Sequence, residues 1–184
     1  MRCWGAVPDL DRWLPEPGLQ VHHERTAHAD PDRLWAAARA VRVDQTGFLG
    51  RLIRWRLPGT PPELEFDALF RSAPFVVLDE GDHCVVSGMA GRIWTLRRDY
   101  PTLENPRAFV QWQRRGTVRV LFAHWVTSGG GGTSMLHSEV RVSAIGSRGS
   151  LGLRAVRPLV GRFHSLIGSE GIAAAVRVGE GGGE

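Results

Sequence analysis

The residue best placed to do chemistry is His124. It lies in residues 117–127, where Val118, Val120, Phe122, His124 and Val126 recur at every second position and share one face of a strand. A histidine on an apolar face can donate or accept a hydrogen bond to a ligand carbonyl, or pass a proton to and from it. The plainer role is that of a core histidine satisfied by a neighbour. His164, next to Phe163, would edge a cavity or face water.

The other reactive residue types form no catalytic pattern. His22, His23 and His28 cluster in sequence, but along a strand six residues separate His22 from His28 by roughly 20 Å, and His23 points the other way. No metal site is expected from them, and no cofactor is expected at all. Cys84 has no sequence partner, and no Gly-x-Ser-x-Gly elbow occurs. Gly129-Gly130-Gly131-Gly132 is followed by neither a lysine nor a helix, so it reads as a hairpin loop rather than a phosphate cradle. Glu139 and Arg141 share a strand face opposite Val140 and Val142 and should pair outside the core.

Positioning these residues requires a sheet and a long helix. Residues 19–27 read as a first strand, with Val21, Arg25 and Ala27 on one side and His22, Glu24 and Thr26 on the other. Asp30-Pro31 is a cap followed by a first-turn proline and opens a helix over 31–41, with Leu34, Trp35, Ala38 and Val41 inward. A second helix over 48–55 gathers Phe48, Leu52 and Trp55, and a further turn is expected at 66–70. Residues 75–78 and 83–86 flank a short Gly-containing hairpin loop, and Gly88 and Gly91 lead into an expected strand over 92–98. Asn105-Pro106 repeats the capping signal, and strands over 117–127 and 135–144 follow. The last helix is expected over 150–176, with Val156, Val160, Phe163 and Ile167 on one face and Pro158, Gly161, Gly168 and Gly171 interrupting the helix-forming pattern.

Composition narrows the function classes. The 184 residues suit one domain with a core of ordinary size, and no run approaches the roughly eighteen apolar residues of a membrane span. Residues 1–9 lack the apolar stretch of a secretory signal, so a cytoplasmic location is expected. Cys3 and Cys84 are expected to be unpaired. All 23 basic residues are Arg, but 19 acidic residues reduce the net charge to +4, and Arg97-Arg98 and Arg114-Arg115 are scattered without interleaved stacking aromatics. No nucleic-acid partner and no membrane insertion are expected.

The order of a strand, two helices, a run of antiparallel strands and a long final helix resembles the SRPBCC superfamily, the START and Bet v 1-like helix-grip fold. The resemblance covers residues 19–178. It is carried by Asp30-Pro31-Asp32-Arg33-Leu34-Trp35, by residues 75–80 with 86–94, and by His137-Ser138-Glu139-Val140-Arg141-Val142. It implies an α+β fold in which a curved antiparallel sheet of six or seven strands wraps around a long C-terminal helix. Outside it, residues 1–18, with Pro8, Pro15 and Pro17 among acidic residues, read as a leader, and the Gly-Glu stretch 179–184 reads as a disordered tail. The resemblance also implies a cavity for a small hydrophobic ligand, lipid-like or polyketide-like. Trp35, Trp55, Trp94, Phe122, His124, Val160, Phe163 and His164 are the expected lining. Two alternatives remain open: a polyketide cyclase, aromatase or dehydratase using His124 as acid or base, and a structural or interaction protein whose cavity is filled by its own side chains.

Overall fold

The computed structural model describes residues 7–95 and 99–180, including side chains except at positions 48, 49, 156–171 and 180. The elements run β1 (Leu19–Ala27), α1 (Pro31–Arg39), α2 (Gly47–Arg56), α3 (Phe66–Arg71), β2 (Val76–Gly81), β3 (Cys84–Gly91), α4 (Pro106–Val110), β4 (Thr117–Ser128), β5 (Ser134–Ile145) and α5 (Gly146–Glu180). The fold is α+β. Local chemistry accounts for two helix starts: the Asp30 carboxylate accepts from Arg33 N–H at 2.9 Å, and the Asn105 side chain accepts from Ala108 N–H at 3.0 Å. In both, proline takes the next position, where a missing N–H costs nothing.

The strands form one open antiparallel sheet in the order β1-β5-β4-β3-β2, so the first strand in sequence pairs with the last. Five strands are found among the described residues, rather than six or seven. The expected strand over 92–98 is replaced over its described part, residues 92–95, by a turn. At Gly91, with φ +149°, an added Cβ would stand 2.1 Å from the Asp99 carbonyl oxygen. The chain folds back there, and Arg92 N–H donates to that same carbonyl. Gly88, by contrast, does not bend the chain. It lies inside β3 because an added Cβ would meet the Phe109 ring of α4 at 2.7 Å.

Both faces of the sheet are covered. Strand alternation sends Val118, Val120, Phe122, His124 and Val126 of β4 toward α1, α2, α3 and α5, and sends Leu121, Ala123 and Trp125 to the opposite side. On that opposite side they meet Leu10, Leu14 and Phe109. Leu14 and Phe109 are fully buried, so residues 7–18 contribute core side chains, where a leader was expected. Arg141 reinforces the contact through the Asp11 carboxylate and the Leu14 carbonyl. Cys84 faces the same layer and is disulfide-bonded, which corrects the expectation of unpaired cysteines; Cys3 lies outside the described residues. Among the described residues no helix is long and apolar enough to cross a membrane.

Two substitutions test this packing. Leu14→Ala is expected to lower unfolding free energy by about 2–5 kcal/mol in chemical denaturation, as for a buried leucine whose site collapses only in part. An unchanged midpoint would show that the N-terminal segment is not core. Gly88→Ala should cost about 1–3 kcal/mol, because the fully buried Phe109 ring must move to admit the methyl group.

Candidate functional site

Between the helices and the inner sheet face lies a cavity of about 310 Å³. Its sheet side is made by Val85 and Met89 of β3, Phe122 and His124 of β4, and Leu136, Ser138 and Val140 of β5. All of these project to one side because they sit at alternate positions of paired strands. The helices close it with Trp35 from α1, Leu52 and Ile53 from α2, Phe66 and Phe70 from α3, and Ile172 and Ala175 from α5. Phe66 and Phe70 are four apart on one helix face and stack at 6.0 Å, and Phe70 also touches Phe122 at 5.3 Å.

Few polar groups interrupt this lining. The His124 ring lies 5.1 Å from that of Phe70, and its Nε2 is buried with no hydrogen-bond partner. Burial in apolar surroundings pushes its pKa down to about 4, so the ring is neutral at pH 7. Ser138 is its direct cross-strand neighbour on the same face. Asp67, in the first turn of α3, is the second polar group of note. Its Oδ2 accepts from Arg39 at 3.1 Å and from Arg71 at 2.9 Å, whereas its Oδ1 is buried without a partner. Burial raises its pKa, but hydrogen bonds from the two guanidinium groups outweigh that and hold the carboxyl below its ordinary range. Arg56 contributes mainly its stem. Its head donates to the carbonyls of Thr95 at 2.7 Å and Ile93 at 3.2 Å and contacts the Tyr100 hydroxyl.

Of the residues expected to line the cavity, Trp35, Phe122 and His124 are brought together there. Trp55 is not: it is 55% exposed, with the Arg56 guanidinium 5.2 Å from its ring centre. α2 turns Leu52, Ile53 and Arg56 inward, one step around from the expected face. Trp94 packs instead against Gly152 of α5, where an added Cβ would fall 2.3 Å from the indole. The side chains of Val160, Phe163 and His164 lie outside the described residues. Sequence reading missed Asp67, Phe70 and Ala175. The Phe66–Phe70 spacing signalled an apolar helix face, but nothing local linked Asp67 to Arg39, 28 residues away.

No protein-family model matches the chain, and no curated protein sequence matches it. Among solved structures it is similar to hypothetical protein jhp0584 from Helicobacter pylori, at 12% identity and a TM-score of 0.43, over 96% of this chain and 99% of that one. It is also similar to TTHA0849 from Thermus thermophilus, at 10% identity and 0.33, over 87% and 97%. A third similar structure is the ZhuI aromatase/cyclase from Streptomyces sp. R1128, at 15% identity and 0.35, over 90% and 98%.

The His124 ring, set in the cavity wall with its Nε2 shut off from solvent, makes stability depend on pH. Its folded pKa of about 4 lies below its ordinary value of 6.5, so between these values the unfolded chain binds more protons than the folded one. Its contribution is intact above pH 6.5 and is lost as pH falls toward 4, amounting to about 3 kcal/mol across the window. Denaturation of the wild type and His124→Gln at several pH values should show a shallower decline for the variant over this range. Parallel curves would place His124 in contact with water.

Proposed function

We propose that the chain binds a small hydrophobic molecule in the cavity between the sheet and the helices, as in a helix-grip fold, and that His124 hydrogen-bonds to that molecule. The single observation that carries the reading is the buried, unpartnered Nε2 of His124 in a mainly aliphatic and aromatic enclosure. A buried polar atom left unpaired costs about 1–3 kcal/mol, and a ligand group placed against it recovers that cost. Asp67 Oδ1 adds a second requirement: a carboxylate oxygen only accepts, so any ligand group reaching it must be a donor. The fitting ligand has an apolar body and one or two hydroxyl, carbonyl or amine groups.

A cyclase, aromatase or dehydratase needs a proton donor as well as an acceptor. With its basicity lowered by burial, neutral His124 is a poor general acid at pH 7, and the Asp67 carboxylate is engaged by two arginines. Binding is therefore the reading preferred over turnover.

Titration with an apolar fluorophore should show one saturable site, and native mass spectrometry followed by extraction should recover a co-purified molecule of the stated kind. His124→Gln should weaken that molecule's binding about two- to tenfold, the worth of one hydrogen bond. Val140→Trp, which fills the cavity from the floor, should abolish it. Saturable binding that survives Val140→Trp would put the ligand elsewhere and overturn the reading.

A further inference from the structure

On the face of the sheet opposite the cavity, antiparallel pairing of β1 with β5 sets His22 against Glu139 and Glu24 against His137. All four side chains project to the same side. His22 Nε2 lies 3.2 Å from His137 Nδ1, His22 Nε2 lies 3.5 Å from Glu24 Oε2, and His137 Nδ1 lies 3.5 Å from the same Glu24 oxygen. The three atoms form a nearly equilateral triangle. Ligands about 2.05 Å from a tetrahedral zinc ion stand roughly 3.3–3.4 Å from one another, so the triangle already has the dimensions of three corners of such a site.

The surrounding groups orient the two rings. His22 Nδ1 meets Glu139 Oε2 at 3.1 Å; a carboxylate only accepts, so Nδ1 carries the proton and Nε2 presents its lone pair. Glu139 is itself buried and fixed, its other oxygen accepting from Gln20 at 2.9 Å and from Arg141 at 2.6 Å. His137 Nε2 meets the Thr127 hydroxyl at 2.9 Å, an oxygen able to accept its proton and leave Nδ1 free to ligate. The His137 ring lies flat on Trp125, with centroids 4.9 Å apart and 6° between planes. Two imidazole lone pairs and a carboxylate thus converge on one point. Such a set is satisfied by a cation, or by a proton shared between the two histidines.

We propose that His22, Glu24 and His137 bind a divalent transition-metal ion, with Zn²⁺ the best fit, clamping edge strand β1 to β5. Two imidazoles and one carboxylate are the ligand types such ions prefer, and contacts to the outer ring nitrogens from Glu139 and Thr127 are the usual way those ligands are held. Glu24 and His22 lie on the solvent side, leaving a fourth position for water. Sequence reading found no partner for His22 because it counted residues along β1, whereas His137 comes from across the sheet.

The test uses the untagged full-length chain, stripped with chelator and titrated with Zn²⁺ by calorimetry and with Co²⁺ by visible absorption. One ion per chain, the intense absorption of four-coordinate Co²⁺ and a rise in melting temperature with Zn²⁺ are expected. Glu24→Gln and His22→Gln should remove most of the Zn²⁺ affinity and the melting shift, and Glu24→Gln, at an exposed position, should leave metal-free stability nearly unchanged. Glu139→Gln should weaken binding by about 10- to 100-fold, as expected for a group that orients a ligand. Absence of saturable Zn²⁺ uptake by the wild type would mean that the two rings only share a proton, and uptake undiminished in Glu24→Gln and His22→Gln would place the ion elsewhere. Either result overturns the proposal.

Discussion

Both faces of the sheet are covered, so every side chain of the central strand β4 is committed to one layer or the other. Phe122 and His124 face the cavity, while Leu121, Ala123 and Trp125 face the layer built by Leu14 and Phe109. Shifting the β4–β5 register by one residue would exchange the two sets. If β4 takes the shift, His124 joins the side chains that meet the N-terminal segment; if β5 takes it, Arg141 and Glu139 enter the cavity. The strict alternation of residue character in β4 and β5 is therefore what specifies the cavity, and the helices complete what the sheet has set.

Buried polar groups are held in two ways. In the outer layer, Glu139 engages Gln20, Arg141 and His22, and His137 is held between Thr127 and Trp125. Unpartnered buried atoms occur in both layers: Trp13 Nε1 and Trp125 Nε1 in the outer one, and His124 Nε2 and Asp67 Oδ1 beside the cavity. Satisfied networks rigidify a structure, whereas isolated buried polar atoms raise its free energy and favour any molecule that can pair with them. What sets His124 and Asp67 apart is that they line the cavity, where a ligand can reach them.

Local signals were legible where local chemistry is sufficient. Asp30-Pro31 and Asn105-Pro106 mark helix starts because cap and proline act within one turn, and the face of β4 carrying His124 follows from period two. What could not be read depends on distant partners. Gly88 suggests a bend until Phe109 is seen filling the space above it, and Trp55 looks like a core residue until α2 is docked with Leu52 and Ile53 inward. Leu10 and Leu14 sit among prolines and acidic residues and suggest a tail, yet the outer sheet face needs a cover and they supply it. His22 and Glu139 are 117 residues apart, and no window along the chain can pair them.

That separation also bears on how the protein is made. β2 and β3 form a tight hairpin, and β4 joins them after residues 92–116 and α4, so these three can assemble as they leave the ribosome, but β1 emerges first and its sheet partner, β5, is nearly the last element to appear. Throughout synthesis of everything between them, the first strand keeps its backbone donors and acceptors unpaired, and closing the sheet requires a contact spanning most of the chain. A messenger truncated before the codons of β5 therefore yields a product lacking not one strand of sheet but two.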